Sequence, residues 1–429
     1  MSRFQLIFTG VLVAFGIGGA ILFAVSKNTS NQGAPATVMW GTLKAGAVSA
    51  LLSDVSADYR SSLNVTYVQK DADSFESDLI AALARGAGPD MVLLPQDLIL
   101  KQLDKFYVVP FSSYSERSFK SSFIQEGELY LTPEGIVGFP FSLDPLVMYW
   151  NRDIFADAGA ALPPKTWAEF FTLAPQATKK DANGNITQSL AAFGEARNVA
   201  HYKDVLALLA LQAGTPIVGA NAQGYLSSRL ADRGSSLVPG EEALSFYTEF
   251  SNPAKASYTW NRSLPQDRNA FAAGRLGLYF GYASELSSIR AANPNLNFDV
   301  APLPQTGQKK VTFGSMTAIA LLKASKNLNA AFMAAATLTS APVQQAWVEA
   351  SGYAPVRRDM LASLPGDAYK AVFYQSALTS NAWLDPNREG TDDVFWRMIE
   401  NVTSGKLRVS ESVRAASQEI DGLIRSANQ

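Results

Sequence analysis

Cysteine is absent from this chain of 429 residues, and histidine occurs once, at His201. The first absence removes disulfides, thiolate nucleophiles and cysteine-based zinc frameworks. The second leaves few ordinary routes to a multi-histidine metal site or a Ser-His-Asp triad. His201 sits in a helix-like run, where a single histidine reads as packing or surface, and it is given no role. An excess of charge is also missing, with 36 basic residues against 38 acidic ones. No strong field draws the chain to nucleic acid, and no basic stripe interleaved with aromatics occurs. Nucleotide loops, nucleophile elbows and zinc-protease motifs are absent. "DANGNITQSLAA" at 181–192 starts like a calcium loop, but its glycine falls too early and its last residue is alanine. A hairpin turn accounts for it better. No cofactor and no metal is expected.

What is present begins with "FQLIFTGVLVAFGIGGAILFAV" at 4–25, uncharged throughout. As a helix rising about 1.5 Å per residue it would match a bilayer core of about 30 Å. It reads as an uncleaved signal anchor, with removal as a signal peptide the competing reading. Either way the globular part lies on the extracytoplasmic side of the cell membrane. Residues 27–36, small and polar, read as a flexible tether.

A globular pattern follows. "TVMW", "LNVTYVQ" and "MVLLP" read as strands separated by helical spacing at 44–62 and 75–83. Asp73 with Glu76, and Thr166 with Glu169, have the spacing of capping boxes. Strand alternating with helix predicts a parallel sheet covered on both faces, and the length calls for two lobes. "LVMYW" at 146–150 is a buried strand, and Pro140 and Pro145 bracket an extended "FSLD" suited to a passage between lobes. "MTAIALLKAS" predicts a further strand, and the last 85 residues are mainly helical.

The stretch "YWNRDIFADAGAALPPKTW" at 149–167, with "ALARGAGPDMVLL", "AFAAGRLGLYFGY", "FDVAPLPQ" and "SGYAPVRRDML", resembles the extracellular solute-binding proteins of ABC importers. Within that family the likeness is to the group of maltodextrin and other sugar binders, and it covers most of 37–429. The resemblance implies an α/β, periplasmic-binding-protein-like type II fold, in which two α/β lobes joined by a hinge enclose a ligand cleft. Lobe one would take 37–141 with 306–341, and lobe two 146–303 with 343–429. Crossings would fall near 142–146, 303–307 and 340–343, with Ser142, Leu143, Asp144, Pro145 and Pro304 as hinge residues. It also implies a monomer without enzymatic activity that captures a small solute, most simply a mono- or oligosaccharide, and delivers it to ABC permease subunits. A tethered receptor for a non-sugar solute and an extracytoplasmic glycosidase are the alternatives.

A sugar needs hydroxyl acceptors and donors and flat apolar faces. Matching the family's sites residue by residue gives Trp40, Asp97, Asp144, Trp260, Tyr282 and Trp383. A core position for Trp40, a helix cap for Asp97 and turn chemistry for Asp144 remain open beside that reading. Trp260 and Tyr282 have the same competitor, a place in the core.

Overall fold

The computed structural model describes residues 33–427 apart from 222–223, 235–236 and 308. The apolar run at 4–25 and most of the tether thus lie outside the described residues. Among those described, no helix is long and apolar enough to cross a membrane. The end of the tether is held: Ala34 N donates to Arg60 O at 2.9 Å, and Ala34 O accepts from Asn64 Nδ2 at 3.0 Å.

Ten strands form one sheet. They are β1 (Thr37–Gly41), β2 (Val65–Gln69), β3 (Met91–Pro95), β4 (Gly138–Asn151), β5 (Lys179–Lys180), β6 (Ile186–Ala191), β7 (Leu276–Tyr282), β8 (Phe298–Ala301), β9 (Thr312–Leu321) and β10 (Ser380–Asn381). Their order is β2-β1-β3-β9-β4-β7-β6-β5, with β8 on β4 and β10 on β9. The parallel pairing expected from the strand-helix alternation holds for β2-β1-β3. Beyond it the sheet is mixed, because β9 returns antiparallel to both β3 and β4.

Strand β4 is longer than the expected run at 146–150. The proline-bracketed "FSLD" is extended, as expected, and is continuous with that run in a 14-residue strand. Its first half pairs with β9 as far as Pro145 opposite Gly314, and its second half pairs with β7 and β8. A proline inside a sheet removes a donor. The sheet accommodates Pro140 by a register shift: Ala318 faces Pro140 and Thr317 faces Ser142, so Phe141 is an extra residue.

The longer helices used below are α1 (Ala45–Val55), α2 (Phe75–Ala84), α3 (Glu169–Ala177), α4 (Tyr202–Ala213), α5 (Pro239–Glu249), α6 (Leu328–Leu338), α7 (Ala341–Ser351), α8 (Ala368–Leu378), α9 (Arg388–Thr403) and α10 (Val409–Ala427). Helix α2 starts without the expected Asp73–Glu76 box: Asp73 N is held by Asp71 Oδ1, and Glu76 instead meets Lys101 and Gln102. At α3 half of the box forms, with Glu169 Oε1 accepting from Thr166 N (3.0 Å) and Thr166 Oγ1 (2.8 Å). Residues 181–185 make the expected hairpin turn between β5 and β6.

The dense stretch at 149–167 anchors the second half of the sheet. Asn151 Oδ1 caps the helix that follows β4, accepting from Asp153 N and Ile154 N. Trp167 is buried in a cluster with Phe170, Phe193, Phe246 and Phe280. Its Nε1 donates to Gln212 Oε1 at 2.6 Å, and Gln212 Nε2 donates in turn to Pro304 O and Val311 O. One glutamine thereby pins the 304–311 passage to α4.

Only residues 339–340 separate α6 from α7, so the expected crossing at 340–343 falls on the first turn of α7, and α7 lies against α1. Its apolar stripe explains this, since Trp347 is buried against Phe141 and stacked on Tyr353. Helices α9 and α10 do pack with α4 and α5.

Candidate functional site

A cavity of about 840 Å³ opens where several strand ends meet. Thr42 and Leu43 beyond β1, and Gln96 and Asp97 beyond β3, form one wall. Residues 200–204 at the start of α4, Tyr282 ending β7, and Trp383 to Asp393 leading into α9 form the other. Phe313, Ser315 and Thr317 of β9 lie between them. The carboxyl ends of strands in an open α/β sheet are where ligands settle, because loops there carry the polar groups that the covered sheet cannot. The volume falls within the range of small-molecule sites, about 300–1,000 Å³.

Three expected residues meet here: Asp97, Tyr282 and Trp383. Tyr282 donates its hydroxyl to Asp204 Oδ2 at 2.9 Å. Trp383 is buried, stacked on Phe395 with centroids 5.9 Å apart, and 5.8 Å from Lys203 Nζ. Asp97 Oδ2 faces Arg388 Nε at 3.4 Å, while its Oδ1 is sealed from solvent and accepts no hydrogen bond. Burial raises the Asp97 pKa, with Arg388 opposing.

The other three lie elsewhere. Trp260 is 1% exposed and donates Nε1 to Asn198 Oδ1 at 3.1 Å, beside a separate recess of about 300 Å³. It is a core residue, because its one polar atom is already satisfied inside the protein. Trp40 does not line the cavity; its neighbours Thr42 and Leu43 do, and Lys70 Nζ sits 3.8 Å over its ring. Asp144 is also outside the wall: its Oδ1 accepts from Ser284 N at 3.0 Å, tying β4 to the turn after β7. Burial pushes its pKa up to about 6. The remaining expected hinge residues, Ser142, Leu143 and Pro145, lie in β4 opposite Thr317, Met316 and Gly314.

His201, for which the sequence offers no role, belongs to the site. It lines the cavity, with its ring edge-on to Tyr282 at 4.9 Å. Its Nε2 lies 2.7 Å from Glu285 Oε1, and its Nδ1 lies 3.7 Å from Asp204 Oδ2. Burial alone would lower its pKa, but hydrogen bonds and charges from those carboxylates push it up to about 10. Glu285 also accepts from Tyr279 OH and Tyr282 N, and ends well paired. Lys203 is equally engaged, with Nζ 2.8 Å from Asp385 Oδ2, 2.8 Å from Thr391 Oγ1 and 3.1 Å from Arg388 O. In the first wall, Gln96 Nε2 donates to Gly314 O and Gln96 Oε1 accepts from Met316 N, locking the end of β3 to β9.

Such a wall offers many acceptors, a few flat rings and cations already held by the protein. That is the equipment of a polar-solute binding site. Among the described residues no group of histidine, aspartate and glutamate side chains is arranged to hold a metal ion. The comparisons agree in class. A family model described as bacterial extracellular solute-binding protein matches residues 57–373. The chain belongs to that family, which places its globular part outside the cytoplasm. A Brucella abortus (strain 2308) protein named only as a binding protein is 24% identical over 364 residues, covering 81% of this chain and 80% of the relative. The sugar-binding protein MalE of Xanthomonas citri shares the fold with a TM-score of 0.75 at 18% identity, covering 92% of this chain and 98% of that one. A cyclo/maltodextrin-binding protein complexed with maltotetraose matches with a TM-score of 0.73 at 16% identity, over 92% of this chain and 99% of that one.

Proposed function

We propose that this chain is the capture component of an ABC importer, taking up a carbohydrate and passing it to permease subunits in the membrane. The observation that carries this reading is the two-sided cavity. One wall comes from β1 and β3, the other from α4, β7 and α9, and β4 and β9 run between them. A ligand that touches both walls favours whichever arrangement brings them together; one touching a single wall shifts nothing. Hinge motion would occur about Ser142 to Pro145 and about Pro304. Lobe one would comprise 37–141 with 306–341 and also α7, given its seat on α1, and lobe two the remainder from 146 to 303 with α9 and α10. The apolar run at 4–25 would hold the monomer at the membrane, and both MalE and the maltodextrin binder support a saccharide.

The test is a thermal-shift and calorimetric screen of the purified full-length protein against mono- and oligosaccharides, with amino acids and chelated metals as other classes. A true ligand raises the melting temperature progressively with its concentration. Small-angle scattering should then show compaction. Failure of every saccharide refutes the carbohydrate, a non-sugar hit points to another solute, and turnover of a chromogenic glycoside refutes the binding-only reading.

A further inference from the structure

The cavity wall is unbalanced in charge, and this bears on which saccharide it takes; the inference rests on the binding role proposed above. Asp97, Asp204, Asp385, Glu389, Asp392 and Asp393 face the cavity against Lys203, Arg388 and His201. None of the three cations is free. Lys203 is held by Asp385, His201 by Glu285 and Asp204, and Arg388 by Asp97. Glu389, Asp392 and Asp393, by contrast, make no ion pair among the described residues and are exposed on the first turns of α9. A helix N-terminus ordinarily attracts an anion. Here the helix carries its own carboxylates at that end, so an anionic solute meets repulsion where it would otherwise be welcomed.

The pairing of Asp97 is the second and independent observation. It reaches from the β3 side to the α9 side, yet Oδ2 stands 3.4 Å from Arg388 and Oδ1 has no donor at all. A buried carboxylate oxygen without a donor is costly, and because Oδ1 is closed to solvent as the side chains stand, a donor arriving in the cavity reaches it only if they shift. Arg388 is 61% exposed and cannot supply a second bond from where it stands without moving. A ligand ammonium has three donors and a full charge, enough to replace that single long contact.

We propose that the solute is a saccharide or polyol bearing an ammonium group, and that this group displaces Arg388 from Asp97 while hydroxyls meet the remaining acceptors. Glu389, Asp392 and Asp393 contribute longer-range attraction, which salt screens.

The test uses full-length protein, with amino sugars set against close neutral counterparts and against an anionic and a polycationic control. These are the β-1,4 glucosamine disaccharide, its N,N′-diacetyl form and cellobiose, the monosaccharides glucosamine, galactosamine and mannosamine with their parent hexoses, and sn-glycerol 3-phosphate and spermidine. Calorimetry should give an amino form binding at least about tenfold more tightly than its neutral counterpart. That ratio should fall on adding salt, and should collapse in Asp97→Asn and shrink in the Glu389→Gln/Asp392→Asn/Asp393→Asn variant. Circular dichroism confirms that each variant is folded. Equal or better binding of a neutral sugar, or binding of the phosphate, overturns the inference but leaves the capture role standing. Binding of spermidine alone keeps the charge preference and removes the saccharide. Binding of no probe counts against both.

Discussion

Glu126 is wholly buried beside the strands that run between the two cavity walls, and it offers the sharpest test of the packing described above. Its Oε2 contacts Ser380 Oγ of β10, its Oε1 has no partner, and Gly314 of β9 lies against it. Burial pushes the carboxyl up to about 8, with the Ser380 hydrogen bond pulling the other way. Below the ordinary glutamate value of 4.5 the group is protonated in both folded and unfolded chains, so it costs nothing. Between 4.5 and about 8 only the folded chain keeps the proton, so its stability falls as pH rises through that window. Above it the loss levels off. At 1.36 kcal/mol per pKa unit, the cost is about 3 kcal/mol at pH 7 and about 5 kcal/mol beyond pH 8. Glu126→Gln mimics the protonated form at every pH. Urea unfolding should therefore find the variant equal to wild type near pH 4.5 and progressively more stable up to pH 8. Taking the difference between the two chains cancels the other titrating groups. A difference that does not change with pH, or a variant less stable at pH 8, refutes the assignment of Glu126 as a buried neutral acid.

His201→Phe removes the counter-charge of Glu285 and Asp204, and should cost about 3 kcal/mol at pH 7 by urea unfolding. Because the His201 pKa is raised, its contribution is complete below pH 6.5 and lost as pH climbs through about 10, so the penalty should shrink on that climb. Arg388→Ala breaks only a long contact of a largely exposed side chain, so the stability change should stay below about 1 kcal/mol. Scattering from the unliganded variant is the companion measurement, since that ion pair spans the cavity. Gly314→Ala would place a Cβ 2.5 Å from Glu126 Oε2 and 2.7 Å from Leu143 Cδ1, with Ser380 Oγ also in the way. A loss of about 1–3 kcal/mol is expected in the same unfolding assay.

The local elements were largely legible in the sequence. Apolar runs gave β1, β3 and β9, and Gly86 and Gly274, both with positive φ, end helices where the pattern stops. The second half of β4 was legible as "LVMYW"; its first half was not, because a proline reads as a break, and the register that leaves Phe141 as an extra residue is set by a partner strand more than 150 residues away. The site divides the same way. Asp97 follows a strand end, Tyr282 closes one, and Trp383 stands in a loop, so their positions could be inferred from the fold. Trp260 could not be separated from them, since an indole suits a core as well as a sugar face. His201 owes its place to Glu285, 84 residues further on, and to no local pattern. The acidic first turns of α9 carry no local sign of a site, since carboxylates at a helix start are ordinary helix chemistry and only the fold sets them at the cavity.

Strand β4 has a consequence for how the protein comes apart. Its first half is stitched to β9 and its second to β7 and β8, so each side of the molecule contributes half the partners of one common ribbon. Melting either side would strip that ribbon of half its ladder and bare apolar surface on the survivor. The two sides are therefore expected to denature together, in one calorimetric peak. Bending between them, by the same token, is the twisting of a continuous ladder rather than the swing of a slack joint.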